Sequence, residues 1–339
     1  MLLEATIKIA VLLGFLLTAA AYLTWVERKV SGFMQSRVGP NRVGPRGLLQ
    51  PLADGIKHFF KEDVIPEYAH RPLFLLAPAL AFIPALAVYA VIPFGDRLSI
   101  AGRQVSLQIA DPNIGILLVF AFASLEVYGV AFAGWASNNK YSLMGGLRAT
   151  AQMISYELAM GLSVVGVIMA AESLRLSEMV RAQEGWLGWN LFTQPIGFVV
   201  FLVAGFAEAN RLPFDLPEAE TELVAGYHTE YSSMKFALFP LAEYLHMMAV
   251  STLVVVLFLG GWQLPGLQSL GAPPLVIVLV GMLGMAVKVG FFLFLFIWIR
   301  WTFPRFRYDQ LMALGWKVLL PLSLVNIFWV ALGILNGWF

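Results

Sequence analysis

The 339-residue sequence contains no cysteine, and this absence excludes several classes of site. Without a thiol the chain forms no disulfide bond, holds no thiolate-ligated iron–sulfur cluster and attaches no haem through a CxxCH motif. Histidine is also scarce, and no two of the four histidines are predicted to share a helix face: His58, His70, His228 and His246. The sequence therefore predicts no metal site and no cofactor held by this chain alone.

Charged residues are scarce as well. They make up 13% of the chain, against about 25% in soluble domains. Hydrophobic residues make up 59% and the mean hydropathy is +0.77, so we expect an all-α polytopic membrane protein. A net charge of +1 argues against a nucleic-acid partner. The first apolar run, from about Ile9 to Val26, is too long for a cleavable signal and is expected to remain as a helix.

Hydropathy divides the single predicted domain, residues 1–339, into about eight candidate membrane spans, each close to the ~20 residues that cross a bilayer. Their predicted bounds are 7–26, 73–94, 114–135, 149–171, 191–208, 236–262, 274–300 and 315–337. Pro78, Pro84 and Pro93 predict kinks or a break in the second span. Most lysines and arginines lie in the loops at 27–72, 136–148, 209–235 and 300–313, so the positive-inside rule places these loops in the cytoplasm and both termini in the periplasm.

One polar segment, residues 208–231, interrupts this apolar sequence, and we call it the acid loop. Its only fixed positive charge is Arg211, and it contains six carboxylates: Glu208, Asp215, Glu218, Glu220, Glu222 and Glu230. Asp215 and Glu218 have the spacing of a capping box at a helix start. The acids could simply complement the positive end of that helix. However, three carboxylates within five residues exceed what a cap needs, and their mutual repulsion favours the binding of protons.

The first cytoplasmic loop is the second informative region. It begins with Glu27, Arg28 and Lys29 and contains the repeat RVGP-N-RVGP, whose Gly-Pro pairs predict turns and close backbone approach. An amphipathic helix follows at about 48–61 and is predicted to lie in the membrane interface, with these residues on its apolar face: Leu49, Leu52, Ala53, Ile56, Phe59 and Phe60. For Lys57 and Lys61, contact with lipid head groups is an equal alternative to a specific role. For Arg28 and Arg37 we favour a site.

Three glutamates lie inside predicted spans, namely Glu126, Glu157 and Glu243. A charge at a helix centre costs about 2.5–3.5 kcal/mol on insertion scales. We therefore expect these groups to be protonated, wetted by a cavity or paired, with Lys288 as a candidate partner. A structural hydrogen bond is the alternative for any one of them. Together with the acid loop, the three glutamates indicate a path for protons.

Five segments of the chain together resemble one known family. They are ERKVSGFMQSRVGPNRVGPRGLLQPLADGIKHFFKED, SLEVYGV, ISYELAMG, EANRLPFDLPEAETELVAGYHTEY and IRWTFPRFRYDQLM. Spread from Glu27 to Met312, they are similar to the quinone-site membrane subunit of proton-pumping NADH:quinone oxidoreductase, respiratory complex I. No departure from the family pattern is seen at the motif positions.

This resemblance implies eight helices in a bacterial inner membrane and a membrane part of a quinone chamber, with quinone as the substrate. It implies peripheral partner subunits that supply the iron–sulfur cluster, which agrees with the missing cysteines, and antiporter-like membrane partners. The residues in or near the quinone route would be Glu27, Arg28, Arg37, Asp54, Arg300 and Arg305, with Ile56, Phe59 and Phe60 at its entrance. The acid loop would correspond to the family's acidic funnel, continued into the membrane by Glu126, Glu157 and Glu243.

Two alternatives remain at this point. One is the related subunit of a membrane-bound hydrogenase complex, which uses no quinone. The other is a free-standing secondary transporter, which would show inverted repeats with broken helices in matching positions. The prolines of the second span have no clear counterpart elsewhere in the chain, which argues against a transporter.

Overall fold

The computed structural model of the chain describes residues 2–100, 103–185, 187–216, 223–267 and 273–338. In this part of the chain the principal helices are α1 (Leu2–Met34), α2 (Gln50–Phe60), α3 (Arg71–Ala87), α4 (Gly115–Ala136), α5 (Lys140–Ala171), α6 (Leu176–Arg181), α7 (Asn190–Thr193), α8 (Pro195–Glu208), α9 (Ser233–Phe258), α10 (Pro274–Thr302), α11 (Tyr308–Ala313) and α12 (Leu320–Leu335). A short antiparallel hairpin joins β1 (Leu98–Ile100) to β2 (Arg103–Val105). The predicted all-α class is confirmed.

Seven helical segments of the described chain are long and apolar enough to cross a bilayer. They are Leu3–Met34, Arg71–Ala90, Gly115–Ala136, Lys140–Ala171, Ser233–Phe258, Pro274–Thr302 and Tyr308–Leu335. The remaining predicted span, 191–208, corresponds to α8, which has only 14 residues. At ~1.5 Å per residue, α8 is about 21 Å long, less than the ~30 Å of hydrocarbon that a span must cross.

Side-chain amides hold the N-terminal end of α8. Pro195 occupies the first turn, where its missing N–H costs nothing. The Gly197 N–H donates to Asn326 Oδ1 of α12 at 2.9 Å, and Asn190 Nδ2 donates to the Leu257 carbonyl of α9 at 2.7 Å. Amide side chains therefore anchor this short helix, and Glu208 is its last residue.

Several helices extend beyond the predicted spans. The first begins at Leu2 and continues through Glu27 and Arg28 to Met34, and the fourth begins at Lys140 instead of residue 149. Hydropathy marks the apolar part of a helix, whereas the backbone hydrogen bonds continue into polar turns outside it. Helix α3 runs without interruption through Pro78 and Pro84, so no break is present at these two prolines. A 3₁₀ turn at Val88–Ala90 follows, and the helical conformation ends before Pro93.

The amphipathic helix of the first loop is present as α2, with Pro51 in its first turn. Its apolar side chains are not packed against the rest of the chain: Ile56 is 51% exposed, Phe59 70% and Phe60 80%. The glycines of the preceding repeat allow close backbone contact, because a Cβ at Gly39 would lie 2.8 Å from the Arg28 carbonyl oxygen. The loop therefore folds back onto the end of α1 and presents one apolar helix face outward.

Helix α9 occupies the centre of the molecule. It packs against α3, α8, α10 and α1, and 89% of its most apolar 18 residues are buried, compared with 17% for α1 and for α10. The neighbouring pairs α3–α4, α4–α5 and α5–α8 complete the bundle. Polar groups on α9 consequently lie inside the protein, where they must find partners from the surrounding helices.

Candidate functional site

The first group of buried polar residues surrounds Glu27 of α1, which is 5% exposed. Arg211, just beyond α8, places Nη1 3.3 Å from Glu27 Oε2, and the Tyr244 hydroxyl of α9 donates to the same oxygen at 2.8 Å. Arg300 of α10 contacts the other carboxylate oxygen. Glu243 completes this arginine cluster, with Oε2 3.9 Å from Arg211 Nε.

The arginine cluster contains two arginines and two glutamates, so its formal charges balance. Burial alone would lower the pKa of Arg211, but Tyr244, Glu27 and Glu243 outweigh it and raise that pKa above the ordinary value of arginine. The Arg211 guanidinium also lies 4.1 Å from the centre of the Tyr244 ring. Arg211 is therefore a fixed positive charge that holds two carboxylates from different helices.

A second group, the histidine cluster, lies farther along α9. His246 places Nδ1 3.0 Å from Glu126 Oε2 of α4 and Nε2 3.6 Å from Glu208 Oε1 of α8. All three side chains are buried. Glu157 of α5 completes the cluster, because it interacts electrostatically with both Glu208 and His246 and accepts a hydrogen bond from Ser124. Four helices therefore each contribute one ionisable group.

The two clusters meet on one turn of α9. Glu243 and Tyr244 belong to the arginine cluster, and His246 belongs to the histidine cluster. The Tyr227 hydroxyl donates to Glu243 Oε1 at 3.3 Å, which connects this turn to the acid loop as well. Glu208, Glu126 and Glu157 thus lie in the histidine cluster, and Glu243 in the arginine cluster contacts Tyr227 of the acid loop.

The suggested pairing of Lys288 with these glutamates is wrong. Lys288 Nζ donates to the carbonyls of Leu259, Gly261 and Gln263 at 2.7, 3.1 and 2.9 Å. These carbonyls follow the end of α9 at Phe258, where the helix no longer supplies N–H partners. The ammonium also lies 4.4 Å from the centre of the Trp189 ring. Lys288 therefore closes the end of a helix and does not neutralise the glutamates.

The acid loop is described only in part. Glu218, Glu220 and Glu222 lie outside the described residues, as does the helix start that Asp215 and Glu218 were predicted to cap. Arg305 Nη2 donates to Asp215 Oδ2 at 3.0 Å, and the Phe306 N–H donates to the Pro213 carbonyl at 3.1 Å. Glu230 accepts a hydrogen bond from Asn139 Nδ2 at 2.5 Å. The loop is thus fastened to the segment between α10 and α11 and to the start of α5.

The remaining predicted site residues lie on the exposed first loop. Arg28 Nη1 is 2.6 Å from Asp54 Oδ2, which joins the end of α1 to α2. The exposed Arg37 side chain donates to Gln35 at 2.7 Å. The structure therefore brings Glu27, Arg300 and the intramembrane glutamates together around α9, while Arg28, Arg37, Asp54 and the apolar face of α2 form a separate, outward-facing group.

Sequence reasoning did not include Arg211, Tyr227, Tyr244 or His246 among the site residues. One available signal was spacing: His246 follows Glu243 by three residues, which places both on one side of a helix. A second signal was that Arg211 is the only fixed positive charge of the acid loop. The tyrosines gave no such signal, because a lone tyrosine in an apolar helix is most simply explained by packing.

Comparison with known proteins yields one consistent family. A family model described as NADH dehydrogenase matches residues 7–331. An NADH-quinone oxidoreductase subunit of Cytophaga hutchinsonii is 51% identical over 327 residues, covering 96% of this chain and 95% of the relative. The corresponding subunit of Rhizobium meliloti is 55% identical over 320 residues, covering 94% of each chain. NADH-quinone oxidoreductase subunit 8 of Rhodothermus marinus is 52% identical over 339 residues, covering 97% of this chain and 96% of the relative.

Proposed function

This chain belongs to the NADH dehydrogenase family, and we propose that it is the membrane subunit of a proton-translocating NADH-quinone oxidoreductase. In that enzyme it forms the membrane part of the quinone chamber and the start of a proton path. The observation that carries the proposal is the turn of α9 from Glu243 to His246, which joins two buried ionisable clusters. The arginine cluster contains Arg211 of the acid loop, and the histidine cluster contains the intramembrane Glu126 and Glu157. Packing alone does not call for such an arrangement, because buried ion pairs stabilise a fold no better than apolar residues of similar size.

Quinone is the substrate of the assembled enzyme, and its reduction takes up two protons for every two electrons. The electrons come from an iron–sulfur cluster of a peripheral partner subunit. The residues of this chain bind the quinone head group and exchange protons: Glu27, Arg28, Arg37, Asp54, Arg300 and Arg305 line or adjoin the quinone route. The exposed side chains of Ile56, Phe59 and Phe60 form its entrance at the lipid boundary, since an apolar face there receives a hydrophobic tail at little cost.

A change in the protonation of the acid loop alters the proton affinity of the intramembrane glutamates through electrostatic coupling. Glu208, Asp215, Glu218, Glu220, Glu222 and Glu230 form the upper part of the path, and Glu243, Glu157 and Glu126 continue it. Coulomb energies increase as the local dielectric falls, so a proton lost from one buried group changes the protonation of its neighbours. The position of Arg211 supports this electrostatic coupling, because its fixed positive charge lies between Glu27 and Glu243 and interacts with both.

The chain has a defined orientation in the membrane and defined partner subunits under this proposal. The acid loop and first loop face the cytoplasm beneath the peripheral iron–sulfur and quinone-site subunits, and both termini lie in the periplasm of a bacterial inner membrane. Antiporter-like subunits occupy the membrane beside it. The hydrogenase alternative predicts no NADH-oxidising partner, so affinity purification of the complex followed by identification of its subunits distinguishes the two.

The functional test compares Glu208→Gln, Glu243→Gln and Glu220→Gln with the native enzyme in membrane vesicles. Glutamine keeps the shape and hydrogen bonding of the side chain but removes the exchangeable proton. We expect NADH oxidation by artificial acceptors, which bypass quinone, to be retained, while quinone reduction and proton translocation fall severely. The exposed Glu184→Gln serves as the control. Normal translocation in all three variants would contradict the proton path.

A helix-capping role for the acid loop makes a different prediction. Glu218→Gln, Glu220→Gln and Glu222→Gln, singly and together, would then lower the amount of assembled complex but leave turnover per complex intact. Quinone reduction and proton translocation are therefore normalised to artificial-acceptor activity in the same membranes. A loss that survives this normalisation supports the proton path over the cap.

A further inference from the structure

His246 differs from the other polar groups of the site because both of its ring nitrogens face carboxylates. Nδ1 lies 3.0 Å from Glu126 Oε2, and Nε2 lies 3.6 Å from Glu208 Oε1. A histidine with a purely structural role in a helix bundle needs only one partner, and a backbone carbonyl suffices for it. The placement of the ring between two carboxyls on different helices requires another explanation.

The surroundings of His246 leave few other groups for it to exchange protons with. The ring is 4% exposed, and Glu126, Glu157 and Glu208 face it from α4, α5 and α8. From the 3₁₀ turn after α3, the Tyr89 hydroxyl donates to the carbonyl of Leu245 at 2.6 Å and is therefore engaged with backbone. Within the described residues, Glu126 Oε2, Glu208 Oε2 and His246 Nε2 have no hydrogen-bond partner. His246 Nε2 and Glu208 Oε1 face each other across a gap of 3.6 Å.

We propose that His246 is a proton-transfer residue that couples the protonation of Glu208 to that of Glu126. This inference rests on the proposed function and assigns to it a group outside the carboxylate path. In the forward step the Glu208 carboxyl gives its proton to Nε2, and the Nδ1 proton passes to the Glu126 carboxylate. One O–H and one N–H bond break, and one of each forms. The neutral ring is left in its other tautomer, and the reverse step restores it.

The chemistry of imidazole suits this task. It is the one side chain that is both a donor and an acceptor at separate atoms in its neutral form and that changes charge near neutral pH. The ring lies between the Glu126 carboxyl on α4 and the Glu208 carboxyl on α8. A proton can therefore pass from one carboxyl to the other without direct contact between them. A proton that enters Glu208 from the acid-loop side therefore leads to protonation of Glu126 on α4.

The test uses the assembled complex with His246→Gln and His246→Asn. Both amides can donate and accept hydrogen bonds beside the carboxyls, but neither takes up a proton. We expect artificial-acceptor activity to be retained and proton translocation per NADH oxidised to fall by roughly tenfold or more, a size typical of a lost acid–base group. The ratio of variant to native translocation should depend on pH, because the native ring changes charge and the amides do not. The exposed His70→Asn is the matched control.

A structural role for His246 predicts something else, namely near-native translocation in the glutamine variant at every pH, and that result would overturn the proposal. If neither variant assembles, Glu126→Gln on α4 tests the same step, since it removes the acceptor of the Nδ1 proton. Normal translocation in Glu126→Gln would then overturn the proposal, and a loss equal to that of Glu208→Gln would support it. If translocation is lost in Glu208→Gln but normal in His246→Gln, the histidine step alone is rejected. Normal translocation in all these variants rejects the proposed function as well.

Discussion

Arg305 and Asp215 form an ion pair of 3.0 Å that joins the acid loop to the segment between α10 and α11, although they lie 90 residues apart in the sequence. The Asp215 side chain is 10% exposed and that of Arg305 28%. The Phe214 and Phe306 rings stack beside the pair, with centroids 5.4 Å apart. Asp215 therefore joins the described first part of the acid loop to this segment.

The first prediction follows from this ion pair. Asp215→Asn leaves the partly buried Arg305 without its charged partner, which costs about 1–3 kcal/mol. We expect a lower midpoint of thermal denaturation for the purified complex and reduced quinone-linked turnover. The matched control is Asp309→Asn, which breaks the exposed pair with Arg307, a contact of 3.1 Å. Such a surface pair contributes about 0–1 kcal/mol, so equal effects of the two substitutions would contradict the assigned role of Asp215.

Tyr244→Phe tests the arginine cluster. It removes the hydroxyl that donates to Glu27 at 2.8 Å but keeps the ring beneath Arg211. A hydrogen bond to a charged group contributes about 1.5–3 kcal/mol, so quinone-linked kcat/KM should fall by at least about tenfold. Steady-state assays with quinone and with an artificial acceptor give the measurement. Tyr22→Phe, at a 40% exposed position on α1, controls for loss of a tyrosine hydroxyl, and an effect of the same size there would refute the prediction.

Phe60→Asp tests the entrance for quinone. Phe60 is 80% exposed on α2, so the substitution places a charge where a hydrophobic tail would pass without disturbing the core. We expect a raised apparent KM for long-tailed quinones and little change for short-tailed, water-soluble analogues. The two substrates are compared on the same preparation, which controls for assembly. An unchanged KM for long-tailed quinone would indicate that α2 only contacts lipid.

Cysteine labelling tests whether the first loop is covered by partner subunits. Because the chain has no cysteine, Val38→Cys and Val43→Cys each introduce a single reactive position in it. Val38 is 70% exposed and Val43 36% exposed in the isolated chain. Alkylation should be slow in the intact complex and fast after the peripheral subunits are stripped. Leu335→Cys, at the end of α12, should label equally in both states, and similar behaviour at all three positions would argue against a covered loop.

Much of the fold could be predicted because a bilayer imposes a length and a polarity on each helix. The segments around α3, α4, α9 and α10 were located from hydropathy, and α2 was located from its apolar period. The end residues of α1 and α5 were not, since the polar turns that extend these helices carry no hydropathy signal. The shortness of α8 was visible, but the amides that anchor it, from Asn190 and Asn326, come from distant parts of the sequence.

The site likewise contains residues that could be predicted from the sequence and residues that could not. The glutamates could be singled out because an isolated carboxylate in a membrane span is costly. Their partners could not, because Glu27 and Tyr244 lie 217 residues apart and only tertiary packing brings them together. Lys288 shows the converse error, since its charge suggested a carboxylate partner and its hydrogen bonds go to three backbone carbonyls. Composition identifies which groups need a partner, and geometry decides which partner they have.

The position of Glu243, Tyr244 and His246 on one turn of a buried helix has a mechanical consequence. An α-helix rotates by about 100° and rises by ~1.5 Å per residue, so these three side chains keep a fixed relative orientation. A tilt or rotation of α9 that lengthens the contact between Glu243 and Arg211 must also alter the separation of His246 from Glu126 and Glu208. A rigid-body movement of α9 would therefore change the geometry of both clusters at once.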